Sequence, residues 1–479
     1  MAIRGTTTFE NDLDVPMPGD TKTNAFNPIG GDAATTGTTA APGRTEATKG
    51  VDSATTASIA DPDRGPVKPV ARGPSDASGT SLVPGGEPLA AEAPRDNFDD
   101  DADAYEPLGI RAGSFLLLPS LEVTGGASDN IDSTNKGKAG GFYRIAPEVI
   151  LRSNWSRHQL ESTLKGSYKG YPWSDTADDP NLSTTTTVRI DVRDKTTIDL
   201  EGGYTLDRES SSSVDVAPGT ETTALVHQLR GAAGLTQEFG RLAVTGKGSI
   251  DRTFYTGGTA TGGGTLDSES RNNSLLTASL RTSYEVTPAF KPFVEGALLE
   301  RVYDQKQDAL GYRRDSTGYE LKAGAVIDLG AKIHAEGALG WHYEELRDNR
   351  FDPLEGLIAE ASLVWSPSRL TTVTLSGETA FEPTTLLNSS GSTQYSGNLK
   401  VAYSLRRNLE VDVGLGVALR NYQGSVDEDV TTTGTAGLAW SLNRNVALTA
   451  RYSYENLQTN RAGADYSANS IEVGLRMRR

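Results

Sequence analysis

The sequence predicts an all-β fold, a transmembrane antiparallel up-and-down β-barrel of about 18 strands preceded by a disordered N-terminal region. Three observations predict it. After residue 113, apolar and polar side chains alternate strictly over stretches of about 12 residues, where soluble strands usually run about 5 to 6. Short polar turns take turns with longer loops rich in Gly, Asn, Ser and Asp. The first 110 residues are of a different composition from everything that follows.

Residues 1–110 come first. Stretches such as residues 32–42 and 67–88 are rich in Ala, Thr, Gly, Ser, Pro and Asp, with few aromatic or large aliphatic side chains to bury, so this arm is expected to be disordered. It holds 18 acids and 8 bases, which puts most of the net charge of -17 on the arm. Residues 1–30 contain no apolar h-region, so the secretory signal that a barrel needs is expected outside this chain, upstream of an internal start or already removed.

Residues 111–479 are expected to form the barrel. In residues 408–420, Leu409, Val411, Val413, Leu415, Val417 and Leu419 share one face, while Glu410, Asp412 and Arg420 share the other with Gly414, Gly416 and Ala418. Residues 196–207 and 332–344 read the same way. A membrane-crossing strand needs about 9 to 11 tilted residues, which these stretches supply. Short turns fall at residues 154–157, 193–195, 238–241, 287–289, 329–332, 366–369, 406–408 and 442–445. Longer loops fall at 129–140, 171–181, 210–221, 257–271, 304–315, 382–392 and 458–465. Short periplasmic turns and long extracellular loops are the asymmetry of an outer-membrane barrel, and an even strand count returns both ends to the turn side.

Composition narrows the alternatives. Hydrophobic residues make up 36% and the mean hydropathy is -0.43, values that a barrel reaches because alternation hides its apolar face. A propeller would need four short strands per period of about 40 residues and often carries Gly-His and Trp-Asp dipeptides, neither of which occurs here. With no cysteine there is no disulfide framework or thiolate chemistry. Of four histidines, His334 and His342 share a face but stand about 26 Å apart along one strand, too far to hold one metal. Neither a nucleophile elbow nor a phosphate-binding loop is present, so no enzyme activity, cofactor or metal is expected. An outer-membrane hydrolase, whose triad would be invisible in sequence, is the enzymatic alternative.

By parity the inward face carries Arg189, Asp191, Arg193, Asp199, Glu201, Lys247, Asp251, Arg281, Glu295, Glu320, Lys322, Glu336, Glu410, Asp412, Arg451, Glu472 and Arg476. Charges this numerous must face water or one another. Both signs are interleaved, so weak ion discrimination is expected, and residues 253–271 or the acidic arm are the expected occluding segments. Tyr168, Tyr171, Trp173, Phe254, Tyr255, Tyr284, Tyr303, Tyr343, Phe381, Tyr403, Tyr422, Trp440 and Tyr454 fall near strand ends, where an interfacial girdle would place them.

The run YEPLGIRAGSFLLLPSLEV at residues 105–123, followed by Asp129-Asn130-Ile131 and by LRSNWSRH at residues 151–158, resembles the family called putative beta-barrel porin 2, of proteobacterial outer-membrane proteins. The likeness covers about residues 107–479. It implies an outer-membrane barrel of a Gram-negative bacterium, surrounded by outer-membrane lipid and lipopolysaccharide, without a nucleic-acid partner. It further implies a channel for exopolysaccharide served by a periplasmic polysaccharide export protein. The alternatives are a general diffusion porin and a closed structural or adhesive barrel. One departure stands out: the chain ends Met477-Arg478-Arg479 instead of on the terminal aromatic common to such barrels.

Overall fold

The computed structural model describes residues 105–216, 220–261, 264–265, 268–308 and 310–479. The expected disordered arm therefore lies outside the described residues, apart from its last six. The described chain closes into a single barrel of 18 antiparallel strands. These are β1 (Phe115–Ser128), β2 (Gly140–Ser153), β3 (His158–Gly170), β4 (Asp179–Arg193), β5 (Thr196–Arg208), β6 (Leu225–Phe239), β7 (Leu242–Thr256), β8 (Asn273–Tyr284) and β9 (Phe290–Tyr303). They continue with β10 (Ser316–Asp328), β11 (Ile333–Leu346), β12 (Leu354–Ser368), β13 (Thr371–Glu382), β14 (Gly391–Arg406), β15 (Leu409–Gln423), β16 (Glu428–Ser441), β17 (Val446–Thr459) and β18 (Tyr466–Arg478). Each strand pairs with its sequence neighbours, and β1 pairs with β18 from Ser120 opposite Arg478 to Ser128 opposite Ser470, which removes every free edge. Strand lengths of 12 to 16 residues exceed what a bilayer requires, so the wall rises beyond it.

Turn chemistry sets the register. Ile110–Ala112 folds back on β1 through Gly113-Ser114, and β6 returns to β7 through Gly240-Arg241. Both are two-residue connections whose first residue has positive φ, +62° at Gly113 and +69° at Gly240, where a Cβ would strain the backbone. The loop side is less uniform than its sequence implied. Residues 347–353 form a further loop, and β15 reaches β16 through only four residues, 424–427. Part of 171–181 is strand, since β4 begins at Asp179. Thr220–Thr222, Thr259–Ala260 and Gly264–Thr265 form a small separate sheet that ties the β5–β6 loop to the β7–β8 loop.

Burial inverts the arrangement of a soluble protein. Leu298 is 69% exposed and Leu321 64%, whereas Arg144 and His342 on the opposite face are fully buried. A continuous apolar surface around the outside, with charges inside, is stable only in lipid. Near the turns, Phe239, Tyr284, Phe290, Trp365, Tyr403 and Trp440 stand exposed in a ring, an aromatic girdle at the periplasmic interface. Tyr171, Tyr255, Phe381 and Tyr422 do not belong to a girdle: all four are buried. Position near a strand end fixes depth, but the face is set by parity and local pairing.

The two faces give a direct test. Leu415, exposed near the middle of β15, should cost about 2 to 4 kcal/mol of folding free energy as Leu415→Arg. Gly414 would be a poor inward control because a Cβ there meets Thr435 Oγ1 at 2.5 Å. Ser453 sits between Thr435 and Ser470 on the inward face, so Ser453→Arg should cost much less. A refolding titration giving equal penalties would refute the assignment of faces.

Candidate functional site

The site is the inward wall and the mouth above it. At the closure seam, Glu122 of β1 accepts hydrogen bonds from Arg476 Nε at 2.8 Å and Nη2 at 2.5 Å, from Thr449 Oγ1 at 3.0 Å and from Arg144 Nη2 at 3.4 Å. Arg144 Nε also donates to Glu472 at 3.0 Å, and Arg451 lies 3.8 Å from the same carboxylate. Further round, Arg230 links Glu201 and Asp251 at 3.0 Å each, and Lys247 reaches Glu201 at 3.2 Å. Arg189 pairs with Asp191 at 3.2 Å and stands opposite Asp199 in the register. A third group joins Arg281 to Glu336 at 2.9 Å and Lys322 to both Glu295 and Glu360, at 3.4 and 3.2 Å. His342 Nδ1 lies 2.9 Å from Glu320, while Arg301 donates to Glu344 at 3.0 Å.

Of the expected wall residues, Asp199, Glu201, Lys247, Arg281, Glu295, Glu320, Lys322, Glu472 and Arg476 are buried in these ladders. Arg193 is exposed where β4 ends at a turn, and Glu410 and Asp412 lie half-buried at the turn end of β15. These last three thus stand at the periplasmic rim and not at mid-depth. Burial of both signs together leaves the charges compensating one another, which is the arrangement that avoids the desolvation cost of a lone ion. Glu122, Glu382 and Arg420 also belong to the wall. Arg420 reaches Glu382 at 2.7 Å and Gln394 at 3.0 Å, and the His342 ring stacks on Phe381, the neighbour of Glu382, at 3.8 Å. Parity alone points Glu122 and Arg420 inward; nothing in the sequence pairs them with partners one or two strands away.

The opposite arc of the wall, β12 to β16, is different. Ser362, Ser376, Asn398, Gly416 and Thr433 are successive cross-strand partners, forming one row across five strands. Thr431 and Thr435 flank Thr433 on the same face. Ser366 Oγ, Ser376 Oγ, Asn398 Oδ1, Thr431 Oγ1 and Thr433 Oγ1 make no hydrogen bond to protein. The β12 to β16 arc thus combines a row of uncharged polar side chains with charged residues such as Glu360, Glu382 and Arg420.

Loops bridge the mouth. The β5–β6 loop contacts three others: Ser211 Oγ donates to Asp132 O at 3.4 Å, Arg461 Nη1 donates to Ser212 O at 3.3 Å, and Asp215 accepts from Thr384 Oγ1 at 2.8 Å, Thr385 N at 2.6 Å and Thr385 Oγ1 at 2.8 Å. Thr384 and Thr385 belong to the β13–β14 loop, eight strands round from the β5–β6 loop in a circle of 18, so this contact runs nearly across the barrel. An 18-strand barrel is about 35 Å wide. Seven residues from Glu209 reach at most about 25 Å, so the β13–β14 loop must lean inward to meet them. Glu209 is held at the base by Arg271, whose guanidinium also lies 4.0 Å over the Tyr255 ring. From the other side, Arg314 donates to Thr384 O at 2.6 Å and Ser389 O at 2.8 Å. Among the described residues the bridging segment is 209–216; of the expected occluding segments, residues 253–256 are still strand β7, while residues 262–263 and 266–267 and nearly all of the acidic arm lie outside the described residues.

Charge fixes the outer loops as well. Asp304 is held below the usual carboxylate range by Arg252, which donates to its two oxygens at 2.6 and 2.5 Å. Asp348 is held below that range by Arg350, with backbone N–H groups of Arg313 and Arg350 adding to the effect. A depressed carboxylate contributes stability that is present above the unfolded pKa of about 3.9 and is lost only as pH falls through the lower folded value. Hydrogen exchange in residues 304–308 and 347–353 should stay slow at about pH 4 and quicken only below it; quickening that begins at about pH 5 would contradict these pairings.

A family model matches residues 103–479, more than three quarters of the chain. The chain belongs to the β-barrel porin family described as "Putative beta-barrel porin 2". This porin is therefore an outer-membrane β-barrel channel. No curated protein matches it. Among solved structures it is similar to a copper transporter, OprC, with 10% identity over 78% of this chain and 81% of that one and a TM-score of 0.42. It is also similar to a BenF-like porin from Pseudomonas fluorescens, with 10% identity over 77% of this chain and 99% of that one and a TM-score of 0.38. The siderophore receptor PirA from Pseudomonas aeruginosa gives 9% identity over 76% and 80%, with a TM-score of 0.35. At such scores these likenesses carry no argument about what this porin transports.

Proposed function

We propose that this porin passes a hydroxyl-rich, weakly charged polymer, a secreted exopolysaccharide, across the outer membrane. The observation that supports this reading is the row Ser362, Ser376, Asn398, Gly416 and Thr433, uncharged and mostly polar, which crosses the inward face of β12 to β16. Uncharged polar side chains exchange hydrogen bonds with sugar hydroxyls at little net cost. Across the lumen the charges are already paired, so a charged solute of either sign gains little there. The loop bridge fits a conduit that must not leak at rest. The exposed apolar belt meets outer-membrane lipid and lipopolysaccharide, and a periplasmic polysaccharide export protein would deliver cargo to the turn side.

The paired, mixed-sign ladders equally suit a general diffusion porin, and one experiment separates the two. Deleting the gene should abolish secreted polysaccharide while leaving small-solute entry unchanged. Normal polysaccharide yield with slower sugar or antibiotic entry would replace the conduit by the diffusion porin.

A further inference from the structure

The wall has a lapped seam between β12 and β13. These strands are in register from Ser368 opposite Thr371 to Ala361 opposite Gly377, and the ladder stops there, so residues 354–360 of β12 and 378–382 of β13 do not pair with each other. No other pair of neighbouring strands among the described residues stops so far short of its loop end. Above the break β13 leaves the alternation of the wall: Leu375 is exposed to lipid, and Thr379 and Phe381 share its parity, yet both are buried. Phe381 stacks on the His342 ring and packs with Leu354 and Ile358. On β12, Leu354, Gly356 and Ile358 alternate with exposed Glu355 and Leu357, so they face inward. A Cβ on Gly356 would lie 3.1 Å from the Phe381 ring, and one on Gly391 2.7 Å from Leu354 Cδ2. The loop-side end of the β13–β14 hairpin therefore laps over β12 on the lumen side. It is fastened by this apolar contact and by Thr379 Oγ1, which accepts from Ala359 N at 2.9 Å and donates to Ala359 O at 3.3 Å.

We propose that this seam is a lateral portal, through which an acyl chain of an outer-leaflet lipid enters the apolar pocket of Leu354, Ile358 and Phe381. Depth puts the seam where such chains are. Trp365 of β12 stands in the turn-side girdle, while exposed Tyr319, stacked on Tyr343 opposite Glu355, marks the other interface. The stretch from Glu355 to Trp365 matches the about 9 to 11 residues that a tilted strand spends in the bilayer, so residues 355–360 lie in its outer half. Elsewhere, parting two strands would strip backbone N–H and C=O groups of their partners in hydrocarbon, at several kcal/mol for each group. Here the ladder is already absent, and opening disturbs side chains alone. Leu357 on the lipid face and Ile358 on the pocket face are adjacent in one strand, so apolar surface runs from the belt through the seam to the pocket.

The test places the full-length protein in vesicles of a phospholipid that carries a photoactivatable diazirine midway along one acyl chain, and locates adducts by mass spectrometry after irradiation. Adducts are expected on Leu357 from the lipid side and on Leu354, Ile358 and Phe381 from within. The inner adducts should be several-fold more frequent than those on Leu275 and Leu299, buried inward residues of β8 and β9, whose ladder is unbroken. The chain lacks cysteine, so Ala359→Cys with Thr379→Cys can be bridged across the seam by dibromobimane, with folding checked by heat-modified gel mobility. Bridging should cut the inner adducts several-fold and leave the Leu357 adduct unchanged. Inner adducts no more frequent than those on Leu275 and Leu299 overturn the proposal, and that comparison is made on the unsubstituted protein, whatever the double variant does. Inner adducts that persist in the bridged protein overturn it too, because the lipid would then be arriving through the mouth.

Discussion

Glu122→Ala is expected to destabilise the barrel by about 3 to 5 kcal/mol, the largest effect of any single wall substitution. Glu122 is fully enclosed on β1 and receives donors from β2, β17 and β18, the strands that meet at the closure. Its removal leaves Arg476 and Arg144 buried with one carboxylate, Glu472, between them and Arg451. Glu122→Gln keeps the acceptor oxygen and the shape but not the charge, and should fall between wild type and Ala. Equilibrium unfolding in micelles measures the cost. A double variant with Arg476→Ala should be less damaging than the sum of the two, because the shared pair is lost only once. A cost below about 1 kcal/mol, the value of an exposed ion pair, would show that the seam is hydrated and the network weak.

The second large effect concerns conduction. Excising residues 211–216 removes the segment that meets the loops at Asp132, Arg461, Thr384 and Thr385, and single-channel conductance in planar bilayers should rise several-fold. Asp215→Ala removes three of those hydrogen bonds while keeping the segment, so it should give brief openings instead of a steady increase. Neither change touches the transmembrane wall, so heat-modified mobility should be unaltered. Conductance unchanged by the excision would mean that the bridge lies above an already open mouth and restricts nothing.

Alternation, turn spacing and loop length determined the barrel from the sequence alone. A period of 2 over a dozen residues has one physical reading once short turns and long loops alternate, and so a count of about 18 was legible in the turn spacing and the parity of β15 in Leu409 to Leu419. The same parity places Glu201, Lys322 and Glu472 on the inward-expected face. What parity could not supply is which charge meets which. Arg281 finds Glu336 three strands away and Arg420 finds Glu382 two strands away, because strand tilt and stagger carry each long side chain past its nearest neighbour. The uncharged row likewise exists only because five strands bring Ser362, Ser376, Asn398, Gly416 and Thr433 into register. The mouth was the least legible part. Residues 210–216 read as one more polar loop, and only closure of the barrel sets them opposite Thr384 and Thr385, about 170 positions later, within reach of Asp215. Local periodicity decides which face a side chain takes, since it is fixed by backbone geometry; partners across a lumen are decided by closure, which no local pattern encodes.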